Sequence, residues 1–164
     1  MSLSYEEETG VTSQVTLTFD KCYYPEVEEL EDYYAIHLTE YRNLYDKIVV
    51  LDAGHGGKDP GAGAENYRVQ EADIVLDLLL MLKDLLEENT DIKVFCTRTT
   101  DVYRTLQERA DLALGLDADL FISWHCNSFD SSKRNGTEII YNALQGQEDA
   151  FNSKDFAKLC LDNL

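Results

Sequence analysis

No apolar run in this chain is long enough to cross a membrane. The longest, residues 74–82, is interrupted by Asp77, whereas a membrane-spanning helix needs about 20 apolar residues. Basic residues are also few: 14 Lys and Arg stand against 32 Asp and Glu, which gives a formal net charge of −18. Because nucleic-acid binding depends on clustered basic side chains, the composition argues against that class of partner. It is compatible with a bound cation, which an acidic protein attracts.

Paired cysteines are missing as well, and the first residues lack the pattern of a signal peptide. The four cysteines form no CxxC pair and no zinc-finger spacing, so we expect small buried side chains at Cys22, Cys96, Cys126 and Cys160. The first residues, MSLSYEEETG, lack the basic stretch followed by an apolar stretch that marks a signal peptide. The chain is then either intracellular or a piece of a longer protein.

Enough apolar material is present for one folded domain, since 44% of the 164 residues are hydrophobic and 10% are aromatic. Residues 1–46 form a β-rich segment. Strand-like alternation over residues 15–19 and again over residues 33–38 predicts two strands of a hairpin or small sheet, separated by the acidic stretch PEVEELE.

Strands and helices alternate from Lys47 onward. The predicted strands are KIVVLDA, IKVFCTR, ADLFISWHCNS and TEIIYNA, and the first is apolar enough to be buried on both faces of a parallel sheet. Three helices are predicted: one over residues 70–89, one opened by Thr105 and one capped by Ser153. The apolar positions that indicate the first helix are Ile74, Leu78, Met81, Leu82 and Leu85. This order predicts an α/β fold, with a mostly parallel sheet between two layers of helices and a short β hairpin before it.

Two of the three histidines follow predicted strands. His55 lies in a glycine loop after KIVVLDA, and His125 comes directly after ADLFISW. The carboxyl ends of parallel strands share one edge of the sheet, where ligands bind in such folds. Glu71 is expected at the same edge, because a helix that follows a parallel strand runs back from it. Two imidazoles and a carboxylate at one edge predict an open zinc site with a position left for water.

Each of these residues also has a simpler interpretation. A loop histidine can be a turn residue, a histidine at a strand end can be a core residue, and the helix dipole favours an acid such as Glu71 in the first turn. The loop glycines allow tight turns or a phosphate cradle. Asp59 excludes both a Walker A loop and a GxGxxG fingerprint, since it stands where the first needs Ser or Thr and the second needs Gly. Spacing alone leaves the metal site, the turn and the cradle open.

The segments VVLDAGHGGKDPGA, TRTTD, LQERADLA and ADLFISWHCNS occur in this order, with a glutamate early in the helix after the first. Together, over residues 47–164, they resemble the zinc-dependent N-acetylmuramoyl-L-alanine amidases of the third amidase type, whose fold is phosphorylase/hydrolase-like. These bacterial enzymes hydrolyse the amide between N-acetylmuramic acid and the L-alanine of the peptidoglycan stem peptide. The resemblance implies that His55, Glu71 and His125 bind Zn²⁺. It also implies that peptidoglycan is the substrate and that the full-length parent acts outside the cell or in the cell wall.

Supporting roles are also expected, for Asp52 and Asn127 from their places in the sequence and for Arg98 and Arg109 from the resemblance. Asp52 would accept a hydrogen bond from a ligand imidazole, and Asn127 would do the same or hold the loop after the third strand. Arg98 and Arg109 would hold the sheet edge and the adjoining helix through hydrogen bonds.

In the family that this chain resembles, the general base is a glutamate on a late strand, which would lie beyond Leu164. We therefore expect an amidase catalytic domain at 47–164 without its C-terminal part, weak or inactive as a hydrolase. Glu138, on the predicted fourth strand, is the nearby substitute, although its position fits an outward-facing strand residue better. Residues 1–46 would end an upstream wall-targeting module, and a truncated sheet edge would favour self-association. The alternative function is a non-catalytic, zinc-dependent module that binds the cell wall.

Overall fold

The computed structural model describes residues 2–7, 13–64, 69–127, 135–142 and 152–164. The chain divides into two compact units, Met1–Asn127 and Ser128–Leu164. The strands of the first unit are β1 Ser2–Glu7, β2 Ser13–Thr18, β3 Tyr23–Glu29, β4 Tyr34–Glu40, β5 Ile48–Ala53, β6 Gly63–Ala64, β7 Val69–Gln70, β8 Lys93–Cys96 and β9 Leu120–Trp124. Its helices are α1 Tyr41–Leu44, α2 Glu71–Asn89 and α3 Leu106–Gly115, and the second unit contains α4 Ser153–Leu161. None of the helices in these ranges is long and apolar enough to cross a membrane.

A parallel three-stranded sheet with the order β8-β5-β9 forms the centre of the first unit. All six residues of β5 are buried, which confirms that its apolar run lies between two covered faces. Leu51 is in register with Cys96, and Ala53 is in register with Trp124. The segments that follow the three strands therefore leave the sheet at one edge, as predicted.

The two faces of the sheet are covered by different elements. On one face α2 packs against β5 and β8, in a buried cluster of Val49, Leu51, Ala53, Val75, Leu79 and Val94. On the other face the end of α3 and part of the N-terminal segment cover Ile48 and Val50, through Leu112, Leu116, Cys22, Tyr41 and Tyr45. Helices on both faces confirm the predicted α/β architecture. Each fully buried aliphatic side chain here contributes about 1.5–3 kcal/mol to folding.

Helix α2 buries a different side from the one that its sequence predicted. Val75 and Leu79 are buried, whereas Leu78 and Met81 are exposed, the latter by 70%. Residues 74–82 are apolar except for Asp77, so the helical period fits more than one face. Glu71, Val75 and Leu79 are four residues apart and lie on one stripe. The stripe that packs on the sheet is therefore the one that also carries Glu71 inward.

The N-terminal segment contains two antiparallel hairpins, β1–β2 and β3–β4. The two predicted strands are present as β2 and β4. They do not pair with each other, because the acidic stretch PEVEELE supplies most of β3 and pairs with β4. A short connection, closed by the Leu30 N–H donating to the Tyr33 carbonyl, joins these two strands. Closing this short connection costs less entropy than closing the longer loop between residues 15–19 and 33–38 would. Val27 lies opposite Ile36 and adds an apolar contact across the two strands.

The second unit differs from its prediction at two points. Residues 137–142 form no strand, and Ile140 is 84% exposed, so the predicted fourth strand is wrong over these residues. A strand requires a neighbour for its backbone groups, and none of the described strands pairs with this stretch. Helix α4 is capped by Asn152 rather than Ser153. The side-chain oxygen of Asn152 accepts from the N–H groups of Lys154 and Asp155.

Candidate metal centre

Three side chains that the sequence singled out converge at the carboxyl edge of the sheet. His55 follows β5, Glu71 is the first residue of α2 and His125 directly follows β9. The Nε2 atom of His55 lies 3.1 Å from Oε1 of Glu71 and 3.1 Å from Nδ1 of His125. The third distance, from Nδ1 of His125 to Oε1 of Glu71, is 3.2 Å. Two ring nitrogens and one carboxylate oxygen thus form a nearly equilateral triangle.

The size and chemistry of this triangle fit a zinc ion. Zinc bonds of about 2.0–2.1 Å at a tetrahedral angle separate neighbouring ligand atoms by about 3.4 Å, close to the observed spacing. Two imidazoles and one carboxylate are also a ligand set of catalytic zinc sites, which keep the fourth position for water or substrate. The side chain of His125 is 50% exposed, so the centre is accessible from solution on that side.

Glu71 is held in its ionised form. Its Oε2 accepts from the Ala62 N–H at 2.8 Å, and its Oε1 accepts from the Cys126 N–H at 2.6 Å. Burial raises the pKa of Glu71, but these two hydrogen bonds and the neighbouring imidazoles more than offset it, so the pKa lies below its ordinary value. The carboxylate form, which a metal requires, is therefore present at neutral pH.

His55 is oriented by Asp59. An oxygen of Asp59 lies 2.9 Å from Nδ1 of His55, which leaves Nε2 facing Glu71. The hydrogen bond with His55, together with the Gly61 N–H, lowers the pKa of Asp59. His55 itself has a left-handed backbone with a φ of 60°, a conformation that persists at functional sites when the surroundings hold it in place. A carboxylate behind a metal-binding histidine fixes its ring and tautomer.

Asp52 does not have the role predicted for it. Its carboxylate accepts from the hydroxyls of Thr97 and Ser123 and from the guanidinium of Arg109, so it contacts neither imidazole. The alternation of β5 explains this result: Asp52 is on the same face as Ile48 and Val50, the face that α3 covers, whereas Glu71 approaches from the α2 face. The same alternation is visible in the sequence and is the signal that the prediction missed.

Two glycines make the close approach of the ligands possible. A Cβ atom at Gly54 would lie 2.3 Å from Cε1 of His125. Gly61 has a φ of 69°, and a Cβ there would lie 2.7 Å from Cδ2 of His55 and 2.8 Å from Oε2 of Glu71. Any side chain at these positions would displace the ligands.

The glycine loop does not form a phosphate cradle in this structure, because four of its N–H groups already have partners. The Gly57 N–H donates to Asp101, the Gly61 N–H to Asp59 and the Ala62 N–H to Glu71. The Gly56 N–H donates to the backbone carbonyl of Asp59. Three of these four acceptors are carboxylates, which would repel an anion.

Arg98 and Arg109 hold the sheet edge through hydrogen bonds, as predicted, and Arg98 also reaches the adjoining helix α2. Both side chains are buried. Arg98 donates to the carbonyls of Ala53 and Gly54, and Arg109 donates to those of Ala53 and His55. Three successive carbonyl groups at the end of β5 are thus fixed by two guanidinium groups. Thr105 caps α3 in a capping box with Glu108, which sets where the helix begins and so where Arg109 enters the core.

Asn127 and Glu138 are two further residues with predicted roles. Asn127 ends the first unit, two residues after His125. Glu138 lies in the second unit, exposed and outside any strand. The predicted roles of Asn127 in supporting the loop and of Glu138 in replacing the base therefore stay hypotheses.

Several known proteins resemble part of this chain. The N-acetylmuramoyl-L-alanine amidase AmiC of Escherichia coli is 36% identical over 99 residues, which are 60% of this chain and 24% of that protein. The endolysin of Bacillus phage SPP1 is 44% identical over 87 residues, 53% of this chain and 31% of that protein. The catalytic domain of CwlV, an N-acetylmuramoyl-L-alanine amidase from Paenibacillus polymyxa, matches with a TM-score of 0.53 and 39% identity, over 55% of this chain and 50% of that domain.

These matches cover less than a third of the two curated relatives and half of the solved domain. A sequence model of one family, described as N-acetylmuramoyl-L-alanine amidase, matches residues 49–164. That range contains both histidines and the glutamate of the centre, and all of the central sheet except Ile48, the first residue of β5. With most of its length matched, the chain belongs to the N-acetylmuramoyl-L-alanine amidase family.

Proposed function

We propose that this chain supplies the zinc centre of a peptidoglycan amidase, which hydrolyses the amide between N-acetylmuramic acid and the L-alanine of the stem peptide. His55, Glu71 and His125 would hold the metal. The observation that carries the proposal is the triangle of their ligand atoms, with sides of 3.1–3.2 Å. When bound, zinc acts as a Lewis acid on the scissile carbonyl and lowers the pKa of water to about 7.

The protein residues prepare the centre for that chemistry. Glu71 is ionised and supplies one negative charge from a buried position, fixed by two backbone N–H groups. Asp59 accepts from Nδ1 of His55, so the other ring nitrogen keeps its lone pair for the metal. The exposed side at His125 leaves a path for a substrate that is part of a polymer. Little rearrangement is then needed when the metal binds, which is the benefit of a preorganised site.

The substrate and the location are part of the same proposal. Two of the named relatives are N-acetylmuramoyl-L-alanine amidases and the third is an endolysin, which supports peptidoglycan as the proposed substrate class and the cell wall as the proposed site of action. Within the proposal, residues 1–46 end a wall-targeting module and 47–164 belong to the catalytic domain. The outer edge of β9, which pairs only with β5 among the described strands, is a surface for self-association. A monodisperse monomer in light scattering would contradict that last point.

Metal analysis of four purified proteins tests the zinc centre. We expect one zinc per chain in the wild type and none in His55→Ala or Glu71→Ala. His37→Ala is the matched control, because His37 also contacts a glutamate, Glu28, but on an exposed hairpin. It should retain the wild-type zinc content. A wild type that is folded and binds no stoichiometric zinc would contradict the proposal.

A second assay separates the enzyme from the wall-binding alternative. The zinc-loaded chain is incubated with purified muropeptides, and the release of free stem peptide is followed by mass spectrometry. Product that requires His55 and Glu71 supports the amidase. Zinc-dependent retention on peptidoglycan, with no product even after prolonged incubation at high protein concentration, would favour the binding module, because even the weak hydrolysis expected of this chain would then be missing.

The same assay tests Glu138 as the substitute base. Glu138→Gln should lower the rate by about 10²–10⁴-fold if this carboxylate takes the proton of the attacking water. A change of less than twofold would remove it from the reaction. The variant is nearly isosteric and the residue is exposed, so the comparison is free of large effects on folding.

A further inference from the structure

One nitrogen of Arg98 connects two of the elements that carry the metal ligands. Its Nη2 donates to the carbonyl of Gly54 at 2.9 Å and to the carbonyl of Ala72 at 2.7 Å. Gly54 precedes His55, and Ala72 follows Glu71. The guanidinium therefore ties the turn after β5 directly to the first turn of α2. Arg98 thus fixes the separation of the two backbone segments that carry His55 and Glu71, at the residues adjacent to each.

The rest of the Arg98 side chain is fixed just as firmly. Its Nε donates to the carbonyl of Ala53 at 2.9 Å, and its Nη1 donates to that of Thr100 at 3.3 Å. The residue is 3% exposed. A forked, planar group with donors in three directions is required for this set of acceptors. The ammonium group of a lysine is a single point of charge and cannot reach all four carbonyls.

Arg98 differs from Arg109 in its charge partner. Arg109 forms an ion pair with Asp52. No carboxylate of the described residues lies within 4.0 Å of the Arg98 guanidinium, whose contacts are all with backbone carbonyls. A buried charge with no carboxylate in direct contact is expensive unless its hydrogen bonds are made. The bonds of Arg98 are therefore strong restraints on the backbone that carries His55 and Glu71.

We infer that Arg98 is a positioning residue of the metal centre: it holds His55 and Glu71 at the separation that the metal requires, and lysine cannot replace it. The inference rests on the proposed zinc function. Residues that orient metal ligands typically contribute 10–100-fold to metal affinity. Arg98 acts through the backbone rather than on the imidazole, and we expect an effect of the same size.

Zinc affinity of Arg98→Lys is the test, with Arg42→Lys as the matched control. Arg42 also donates to backbone carbonyls, those of Asp46 and Asp117, and contacts Asp119. It lies at the opposite end of the sheet, where Asp119 accepts from the N–H of Ile48 at the start of β5. Affinity is measured by competition with a chromogenic chelator, the Co²⁺ visible spectrum reports the ligand geometry, and thermal unfolding of the metal-free proteins reports stability.

We expect Arg98→Lys to bind zinc about 10–100-fold more weakly than the wild type and to show a changed Co²⁺ spectrum. Arg42→Lys should lower the unfolding temperature while leaving the zinc affinity within threefold and the spectrum unchanged. Wild-type affinity in Arg98→Lys would overturn the inference, and so would an equal loss in both variants.

Two further outcomes are also decisive. Arg98→Gln, which keeps a side-chain NH₂ donor, is the second variant in case the lysine variant does not fold. If neither variant folds with or without zinc, Arg98 is required for the fold itself and the positioning role is overturned. If the wild type binds no zinc, the proposed function fails, and this inference fails with it. Zinc binding by the wild type together with full affinity in Arg98→Lys leaves the proposed function standing and removes only the positioning role.

Discussion

Two histidine–glutamate pairs in this molecule have similar distances and different surroundings. His37 and Glu28 face each other at 3.3 Å across the β3–β4 hairpin, with both side chains about 60% exposed. His55 and Glu71 lie 3.1 Å apart, but the Glu71 side chain is 4% exposed and has two backbone donors and a second imidazole beside it. A close pair alone is therefore not enough to propose a metal site. Burial, fixed backbone donors and a third candidate ligand distinguish the proposed site from a surface contact.

Neutralising the glutamate of each pair should give the largest difference. Glu71→Gln removes a ligand charge from a buried position, and we expect the loss of stoichiometric zinc. Glu28→Gln removes a charge from a surface pair worth less than about 1 kcal/mol, and zinc content should not change. Metal analysis of both proteins, with circular dichroism to verify folding, provides the measurement. Equal zinc content in the two variants would remove the distinction between the pairs.

The two sides of α2 extend the comparison to the core that supports Glu71. Leu79 is fully buried on the Glu71 stripe, and Leu79→Ala should lower the free energy of unfolding by about 2–5 kcal/mol. Leu78, one residue earlier, is 46% exposed, and Leu78→Ala should cost less than about 1 kcal/mol. Urea denaturation of the metal-free proteins measures both values. If Leu78→Ala cost as much as Leu79→Ala, the helix would be packed on the other face.

Replacing Asp59, whose carboxylate fixes the His55 ring, should lower the zinc affinity less than replacing the proposed ligand Glu71 does. Asp59→Asn keeps the size of the side chain but weakens the bond that fixes the His55 ring. Zinc affinity is expected to fall about 10-fold, at the lower end of the range for such partners because Asp59 is partly exposed. Competition with a chelator measures the zinc affinity, and Glu28→Gln, which changes the carboxylate next to His37, is the control. Unchanged affinity in Asp59→Asn would show that the ring is held by packing alone.

The smallest expected effect is the contribution of Asp119 to stability, at the end of the sheet far from the proposed metal centre. Burial raises the pKa of Asp119, but the Ile48 N–H and the Arg42 guanidinium outweigh it, so the pKa lies below its ordinary value. A lowered pKa in the folded state means stability that is present above the unfolded pKa, near 4, and is lost as the pH falls through the folded value. The stability lost in Asp119→Asn should therefore be larger at pH 6 than at pH 3. Urea midpoints of the metal-free wild type and variant at both pH values test this, and a pH-independent difference would contradict it.

The elements that the sequence predicted correctly are those that local patterns determine. The apolar run of β5 requires two covered faces, and Thr105 with Glu108 fixes the start of α3. The convergence of His55, Glu71 and His125 follows from the direction of parallel strands and of the helix after β5. Such features depend on chain direction and spacing, which are readable without knowledge of tertiary contacts.

The features that the sequence did not predict depend on choices between competing contacts. Helix α2 has apolar residues on more than one side, so its buried face is decided by the sheet. The acidic β3 could be identified only from its partner β4. Asp59 rather than Asp52 contacts His55. The loop turns through left-handed residues, and this turn brings Asp59, four residues after His55, to Nδ1 of the His55 ring. Each of these depends on packing or loop geometry that spacing alone leaves open.

X-ray absorption at the zinc K-edge of the metal-loaded chain tests the central claim most directly. The structure leads us to expect two imidazole nitrogens and one carboxylate oxygen at about 2.0–2.1 Å, with no sulfur in the first shell. Cys126 directly follows His125 and is the nearest alternative ligand along the chain. A sulfur scatterer at about 2.3 Å, or a spectrum unchanged when His55 is replaced by alanine, would contradict the proposed centre.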